Sequence, residues 1–286
     1  MTEITNWSYE RHRGFESQLT DIPSVYSSPH TVDAWRHRRM LETALPLLEA
    51  YPGATWLTIG DGRYGSDAHF LMRHGADVTA SSLTNVSLRV AQERGWIGEY
   101  RAENAESLSL ADQSVDFVFC KESFHHFPRP YIALYEMLRV ARIGVVLIEP
   151  QEETPKMLDV LKQVVKRVTR GDKSFLFERV GNYIFRLNVR ELERIQTAMY
   201  APMLAYKHFN DFFQPRLARA TFEPRSRQAR FMQLGIFVQD VLCGIRLMNY
   251  GLASAICFKQ PASAAAIEKL RRGGFHIVEM PKNPYV

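Results

Sequence analysis

Hydrophobic positions recur along this chain first at helical and then at strand spacing, and the two patterns alternate. Between residues 30 and 51, Val32, Trp35, Met40, Leu41, Leu45 and Leu48 fall near a 3.6-residue period, which predicts a helix with a restart at Pro46 and an end at Pro52-Gly53. A β-rich run over 54–59 follows, then the glycine run Gly60-Asp61-Gly62-Arg63-Tyr64-Gly65, then a helical stretch through Arg73. The order repeats with strands over 76–81, 115–120 and 144–148 and helices over 85–94 and 130–140. Such alternation predicts a mostly parallel, doubly wound α/β sheet, and the near-continuous apolar runs at 115–120 and 145–148 suit strands covered on both faces.

After Pro150 the rhythm changes. Residues 155–250 read mainly as helices rich in Arg, Lys, Phe and Tyr, which predicts a helical cap inserted over the sheet. A strand over 253–258, a helix over 262–272 and a strand over 275–280 return to the earlier pattern. The expected organisation is an N-terminal helical segment (1–52), a ligand-binding core (53–150), the cap (151–252), and C-terminal strands that complete the sheet (253–286).

Charge adds an asymmetry that the hydrophobic pattern lacks. Residues 1–154 hold 14 Lys/Arg against 21 Asp/Glu, a balance of −7, whereas 155–286 hold 22 against 10, a balance of +12. A basic cap suits an anionic partner, or equally a solvated surface with no ligand. No familiar nucleic-acid-binding motif lies among these residues, so nucleic acid is not the expected partner. The N-terminus lacks the apolar run of a secretory signal, and no stretch approaches the roughly 20 apolar residues of a membrane span, so a cytoplasmic protein is expected. Cys120, Cys243 and Cys257 have neither disulfide nor zinc spacing.

A glycine loop between a first strand and a helix lets backbone N–H groups approach a ligand closely, because glycine carries no Cβ. Taken alone, Gly60, Gly62 and Gly65 suit several nucleotide cofactors, or a tight turn with no ligand. Three segments together narrow the choice: TIGDGRYGSDA (58–68), AENAESLSLADQSVDFVFCKESFHHFPRP (102–130) and VVLIEP (145–150) resemble, in order and spacing, class I S-adenosylmethionine-dependent methyltransferases.

That resemblance covers about residues 54–150 and implies a Rossmann-like, seven-stranded sheet. It implies S-adenosylmethionine as cofactor and S-adenosylhomocysteine as product. It places Gly60, Asp61, Gly62 and Gly65 against the methionine part of the cofactor, Ser82 at the ribose, and Asn104, Ala105 and Glu106 at the adenine edge, with Lys121 nearby. Two positions depart from the family pattern. Thr58 stands where the first strand usually carries an acid, and Ser82 stands where an Asp or Glu usually holds both ribose hydroxyls, replacing two charge-assisted bonds by one neutral bond.

The densest polar cluster, Lys121-Glu122-Ser123-Phe124-His125-His126-Phe127, follows a buried strand and therefore sits at the rim where open α/β sheets bind ligands. Methyl transfer to a hydroxyl requires alignment and removal of a proton, for which histidine is suited. The resemblance makes His125 the candidate general base, His126 its alternate, and Glu149 the carboxylate that orients the imidazole. A buried structural histidine remains the competing reading. Glu122, His125, His126, Glu149, His208 and Asp211 are metal-ligand types, but no ligand motif is complete and no metal is expected.

The aromatic-polar segments 181–191 and 206–213, with Arg216, Arg219, Arg225, Arg227 and Arg230, suit a small acceptor, saccharide-like or anionic. A bacterial polysaccharide or specialised-metabolite methyltransferase acting on oxygen is the leading expectation. A cofactor-binding protein that does not methylate and a nucleic-acid methyltransferase remain alternatives, and a homodimer is left open.

Overall fold

The computed structural model describes residues 3–17, 30–170, 176–177 and 182–285. Helix α1 (Glu3–Ser17) precedes α2 (Val32–Leu41), whose N-cap Thr31 accepts the Ala34 amide through Oγ1. A 3-10 turn (Glu42–Ala44) leads into α3 (Leu45–Ala50), where Pro46 occupies the first turn, the helical position that needs no N–H donor. Pro46 thus restarts the helix instead of kinking it.

The α/β repeat then runs β1 (Thr55–Ile59), α4 (Ser66–Arg73), β2 (Asp77–Ser82), α5 (Val86–Glu93), β3 (Glu99–Ala102), β4 (Val115–Lys121), α6 (Pro130–Val140) and β5 (Ala141–Pro150). The remainder is α7 (Met157–Arg170), α8 (Val189–Ala198), β6 (Met203–Phe209), α9 (Arg227–Gly244), β7 (Leu252–Phe258), α10 (Ala264–Arg272) and β8 (His276–Glu279). The strands form one sheet in the order β3-β2-β1-β4-β5-β7-β6-β8. Strands β1 to β5 are parallel, while β7 runs antiparallel to both β5 and β6.

Strand period 2 gives the sheet two apolar faces. On β4, Phe117 and Phe119 enter one core with Trp56, Met40, Leu47 and Leu270, and Trp56 stacks on Phe117 at 4.6 Å between centroids. Val118 and Cys120 point the other way, into a core with Leu134, Met137, Leu147 and Leu192. Helices from both ends of the chain therefore cover one face, and α6 and α8 cover the other.

Two features correct the sequence reading. The sheet has eight strands where seven were expected, with β8 as an antiparallel edge beyond β6, and the two strands without a predicted counterpart are β3 and β6. The stretch 151–252 is not only a helical cap: Met203–Phe209 is a full strand between β7 and β8. Its buried half, Met203-Leu204-Ala205, is apolar on consecutive residues, and its half-exposed end, Tyr206-Lys207-His208-Phe209, mixes aromatic and polar groups that mask a two-residue period. The cap therefore comprises two insertions, before β6 and after it; Gly181 and its neighbours 171–175 and 178–180 lie outside the described residues.

Where β5 and β7 pair, Gly144 sits opposite Phe258, and a Cβ there would lie 2.8 Å from the Cys257 carbonyl oxygen. Backbone on a central strand cannot move aside without spoiling its ladder. Gly144→Ala is accordingly expected to destabilise the fold by about 1–3 kcal/mol, read from urea unfolding; an unchanged midpoint would show that the sheet gives way there at no cost.

Candidate active site

The carboxyl ends of β1, β4 and β5 meet where the strand order reverses on either side of β1, the position at which open α/β sheets form a crevice. The loop leaving β1 turns with positive φ at Gly60 (74°), Tyr64 (57°) and Gly65 (68°). Gly60 has a steric reason to be glycine: a Cβ would stand 2.5 Å from both Cβ and Oγ of Ser123. At Gly65, the N-cap of α4, a Cβ would stand 2.7 Å from Ile97. The Gly62 carbonyl accepts from the Ser87 hydroxyl at 3.0 Å.

Asp61 lies between these glycines and is buried. Its carboxylate accepts the Asp67 and Ala68 amides at 3.1 and 2.8 Å and the Thr58 hydroxyl at 3.1 Å. An acid supplied by the loop therefore reaches back to the strand position where the family pattern has one, and it caps α4 in doing so. Burial, and then the neighbouring Asp67 carboxylate, pushes the Asp61 pKa up to about 7 against the pull of those three donors.

A charged cluster packs beside this loop. Lys121, buried, lies 3.3 Å from Asp67 and 3.7 Å from Glu122. Burial opposes its charge, but the two carboxylates outweigh that and hold its pKa above the ordinary value. Glu122, at positive φ, also meets His37 Nδ1 at 3.1 Å. Burial would raise its pKa, yet His37, Lys121 and Arg63 together hold it well below the usual carboxylate range. Arg63 donates to His37 Nε2 at 2.6 Å, and Arg36 joins Asp33 and Asp211. Helix α2 thus brings His37 and Arg36 to the crevice, a contribution with no motif in the sequence. Arg63 stands inside the glycine run with no role assigned to it by the sequence.

Glu149, fully buried at the end of β5, organises the β4 loop. One oxygen accepts the Ser123 and Phe124 amides, each at 2.8 Å, and the other accepts from His125 Nδ1 at 2.6 Å. His125 is buried, and its ring lies 4.1 Å from that of half-buried His126. The His125 carbonyl accepts the Phe185 amide at 3.3 Å, and Asn182 reaches the His126 ring at 3.3 Å. His12 of α1 meets His126 edge-on at 5.3 Å.

The expected adenine-edge segment sits past β3. Asn104 Oδ1 accepts the Glu106 amide at 3.0 Å, and Ala105 is buried. The Glu106 carboxylate accepts the Arg129 amide and Nε, both at 2.7 Å, which fixes the segment before α6. Tyr9 of α1 is buried beside them; burial, then Glu106, pushes its pKa up. Ser82 is buried at the end of β2, and its carbonyl accepts the Glu103 amide. Thus the structure places every expected cofactor residue around one rim, with the Asp61, Glu106 and Lys121 side chains engaged by protein partners.

The residues considered as metal ligands do not converge. Glu122 meets His37, His125 meets Glu149, His208 lies 3.6 Å from Glu153, and Asp211 binds Arg36. Among the described residues no group of three or more His, Cys, Asp or Glu is placed to hold a metal ion.

Beyond the end of β5 and the start of β7 lies a cavity of about 430 Å³. Gln151, Tyr183, Ile184, Asn210 and Asn249 line it together with Asp159 and Lys162 of α7 and Gln239 of α9. Tyr183 and Ile184 directly follow Asn182, so one segment touches both the histidine pair and the cavity. Buried Gln151 Oε1, Asn249 Oδ1 and Asn182 Oδ1 have no hydrogen-bond partner.

Sheet order, glycine loop and crevice together define the class I methyltransferase architecture. Residues 57–148 match the family model described as a methyltransferase domain. The methyltransferase in complex with the Trm112 methyltransferase activator of Haloferax volcanii superposes with a TM-score of 0.51 at 14% identity, over 91% of this chain and 97% of its own. The YcgJ protein of Bacillus subtilis gives 0.50 at 18% identity over 79% and 100% of the two chains. A SAM-dependent methyltransferase of Archaeoglobus fulgidus gives 0.50 at 13% over 79% and 94%. At such identities the likeness establishes the fold. No curated protein matches the chain.

The buried Asp61 carboxyl predicts a pH signature. Its pKa rises on folding from 3.8 to about 7, so the folded state holds the proton more tightly. Its favourable contribution is complete below about pH 4 and declines as pH rises toward about 7. Unfolding free energy measured across that window is expected to fall more steeply in the wild type than in Asp61→Asn; parallel profiles would contradict the assignment.

Proposed function

We propose that the chain is an S-adenosylmethionine-dependent methyltransferase that methylates an oxygen of a small polar, saccharide-like acceptor. The crevice carries this reading: a glycine turn, the α4 N-terminus and the cations Arg63 and Lys121 lie together at the sheet's reversal point. Cations beside a tight turn suit the amino-acid end of such a cofactor. Ser82 and Asn104, at the ends of the next two strands, stand where its ribose and adenine would bind. When bound, the cofactor supplies an electrophilic methyl on a sulfonium.

His125 serves as general base in this reading. Its Nδ1 lies 2.6 Å from the Glu149 carboxylate, which orients the ring and stabilises the imidazolium once the acceptor hydroxyl's proton arrives. Half-buried His126 is the alternate, because it is the more exposed of the two rings and faces Asn182 and His12.

The cavity beside Gln151 is the proposed acceptor pocket. Its wall carries the amide side chains of Gln151, Asn210, Gln239 and Asn249, polar groups of the kind that suit a polyhydroxylated acceptor. Glu152, Glu153 and Asp159 outnumber Lys162 and Arg186 along its wall, which disfavours a strongly anionic acceptor.

Incubation of a metabolite extract with labelled S-adenosylmethionine tests the reaction, and a labelled oxygen-methylated product is expected. His125→Ala is expected to lower turnover by about 10²–10⁴-fold with cofactor affinity nearly unchanged. Cofactor binding without any product would favour a non-methylating protein. Unimpaired turnover in His125→Ala, with loss in His126→Ala, would move the base to His126.

A further inference from the structure

Helices α7 and α9, which wall the acceptor cavity, turn apolar faces outward. On α7, Met157, Val160, Leu161, Val164 and Val168 follow helical spacing along one stripe, and each is between 49% and 77% exposed. The opposite side of the same helix, Asp159, Lys162 and Gln163, lines the polar cavity. That is the reverse of an ordinary surface helix, which buries its apolar stripe. On α9, Met232, Ile236 and Cys243 are buried against the body, while Phe231, Leu234, Phe237 and Val241 on the far side are 45–63% exposed. A helix apolar on both faces is normally covered on both. The two helices are joined at one end, where the Leu158 amide donates to the Leu247 carbonyl and the Asn249 amide to Asp159.

The charge around these stripes identifies what covers them. Of the basic residues from Lys156 to Arg170, Lys156 and Lys162 turn to the body, where their ammonium groups reach Met248. Exposed Arg167 borders the α7 stripe by helical position, and exposed Arg227 and Arg230 share the outer face of α9 with Phe231 and Leu234. Apolar stripes flanked by cations suit an interface of acyl chains beneath anionic headgroups. A symmetric pair of copies joined through this patch would set those cations against one another, which disfavours self-association there. No helix among the described residues is long and apolar enough to cross a membrane, so these elements would lie in the interface plane.

We propose that α7 and α9 dock the protein on an anionic lipid bilayer. The proposal is independent of the reaction assigned above. Flotation of the full chain with vesicles of phosphatidylcholine alone, or mixed with phosphatidylglycerol, tests it. Binding is expected with the anionic vesicles, weakening as salt rises, and each of Leu161→Glu and Phe237→Glu is expected to lower it by at least about tenfold. Arg167→Gln and Arg230→Gln, which leave the apolar faces intact, are each expected to lower it by about fivefold and stand in for any glutamate variant that does not fold. Chain that stays unbound with both vesicle types overturns the proposal. So does a dimer in lipid-free solution that Leu161→Glu dissociates, because the surface then belongs to a second copy.

Discussion

Ser123 fastens three strand ends at one point. Its hydroxyl donates to the Gly60 carbonyl at 2.9 Å, and its amide donates to the Glu149 carboxylate at 2.8 Å. The ends of β1, β4 and β5 are thereby held in one geometry, and the rest of the site inherits it. The contact is possible only because Gly60 has no Cβ, and it is maintained because Glu149, with no exposure to water, must draw its donors from the protein. A buried carboxylate accepting two amides and an imidazole is satisfied; the same carboxylate with any of these removed would leave charge in an apolar core.

From that point the crevice divides by chemistry. On the β1 side, the loop acid Asp61 is spent on the α4 N-terminus, so the cations nearby are balanced chiefly by Asp67 and Glu122. On the β4 side, the histidine pair is held from below by Glu149 and from the flank by the segment containing Asn182 and Phe185. The first side gathers opposite charges, and the second seats a histidine pair on a buried carboxylate. Helix α1 spans the outer rim between them, with Tyr9 beside Glu106 and His12 against His126.

Much of this was legible in the sequence because the deciding signals are local. Apolar alternation found six strands to within a few residues, and the glycine run and the polar cluster after β4 located the rim. What escaped was non-local or patternless. Strand β3 is a four-residue edge, largely exposed, with no apolar face to announce it, and β6 hides its period behind mixed aromatic and polar residues. His37 and Arg36 reach the site only because α2 folds across the loop, which no spacing encodes. Thr58 read as a missing acid because the compensating carboxylate comes three residues later, from the loop.

The glycine turn held by Ser123 is where S-adenosylhomocysteine should seat. Calorimetric titration with S-adenosylhomocysteine of the wild type and of Gly60→Ala tests it most directly. Saturable binding is expected for the wild type and its loss for a Gly60→Ala protein whose circular dichroism is unchanged, since the added methyl must displace Ser123. Equal affinities in the two proteins, or no binding by the folded wild type, would contradict it.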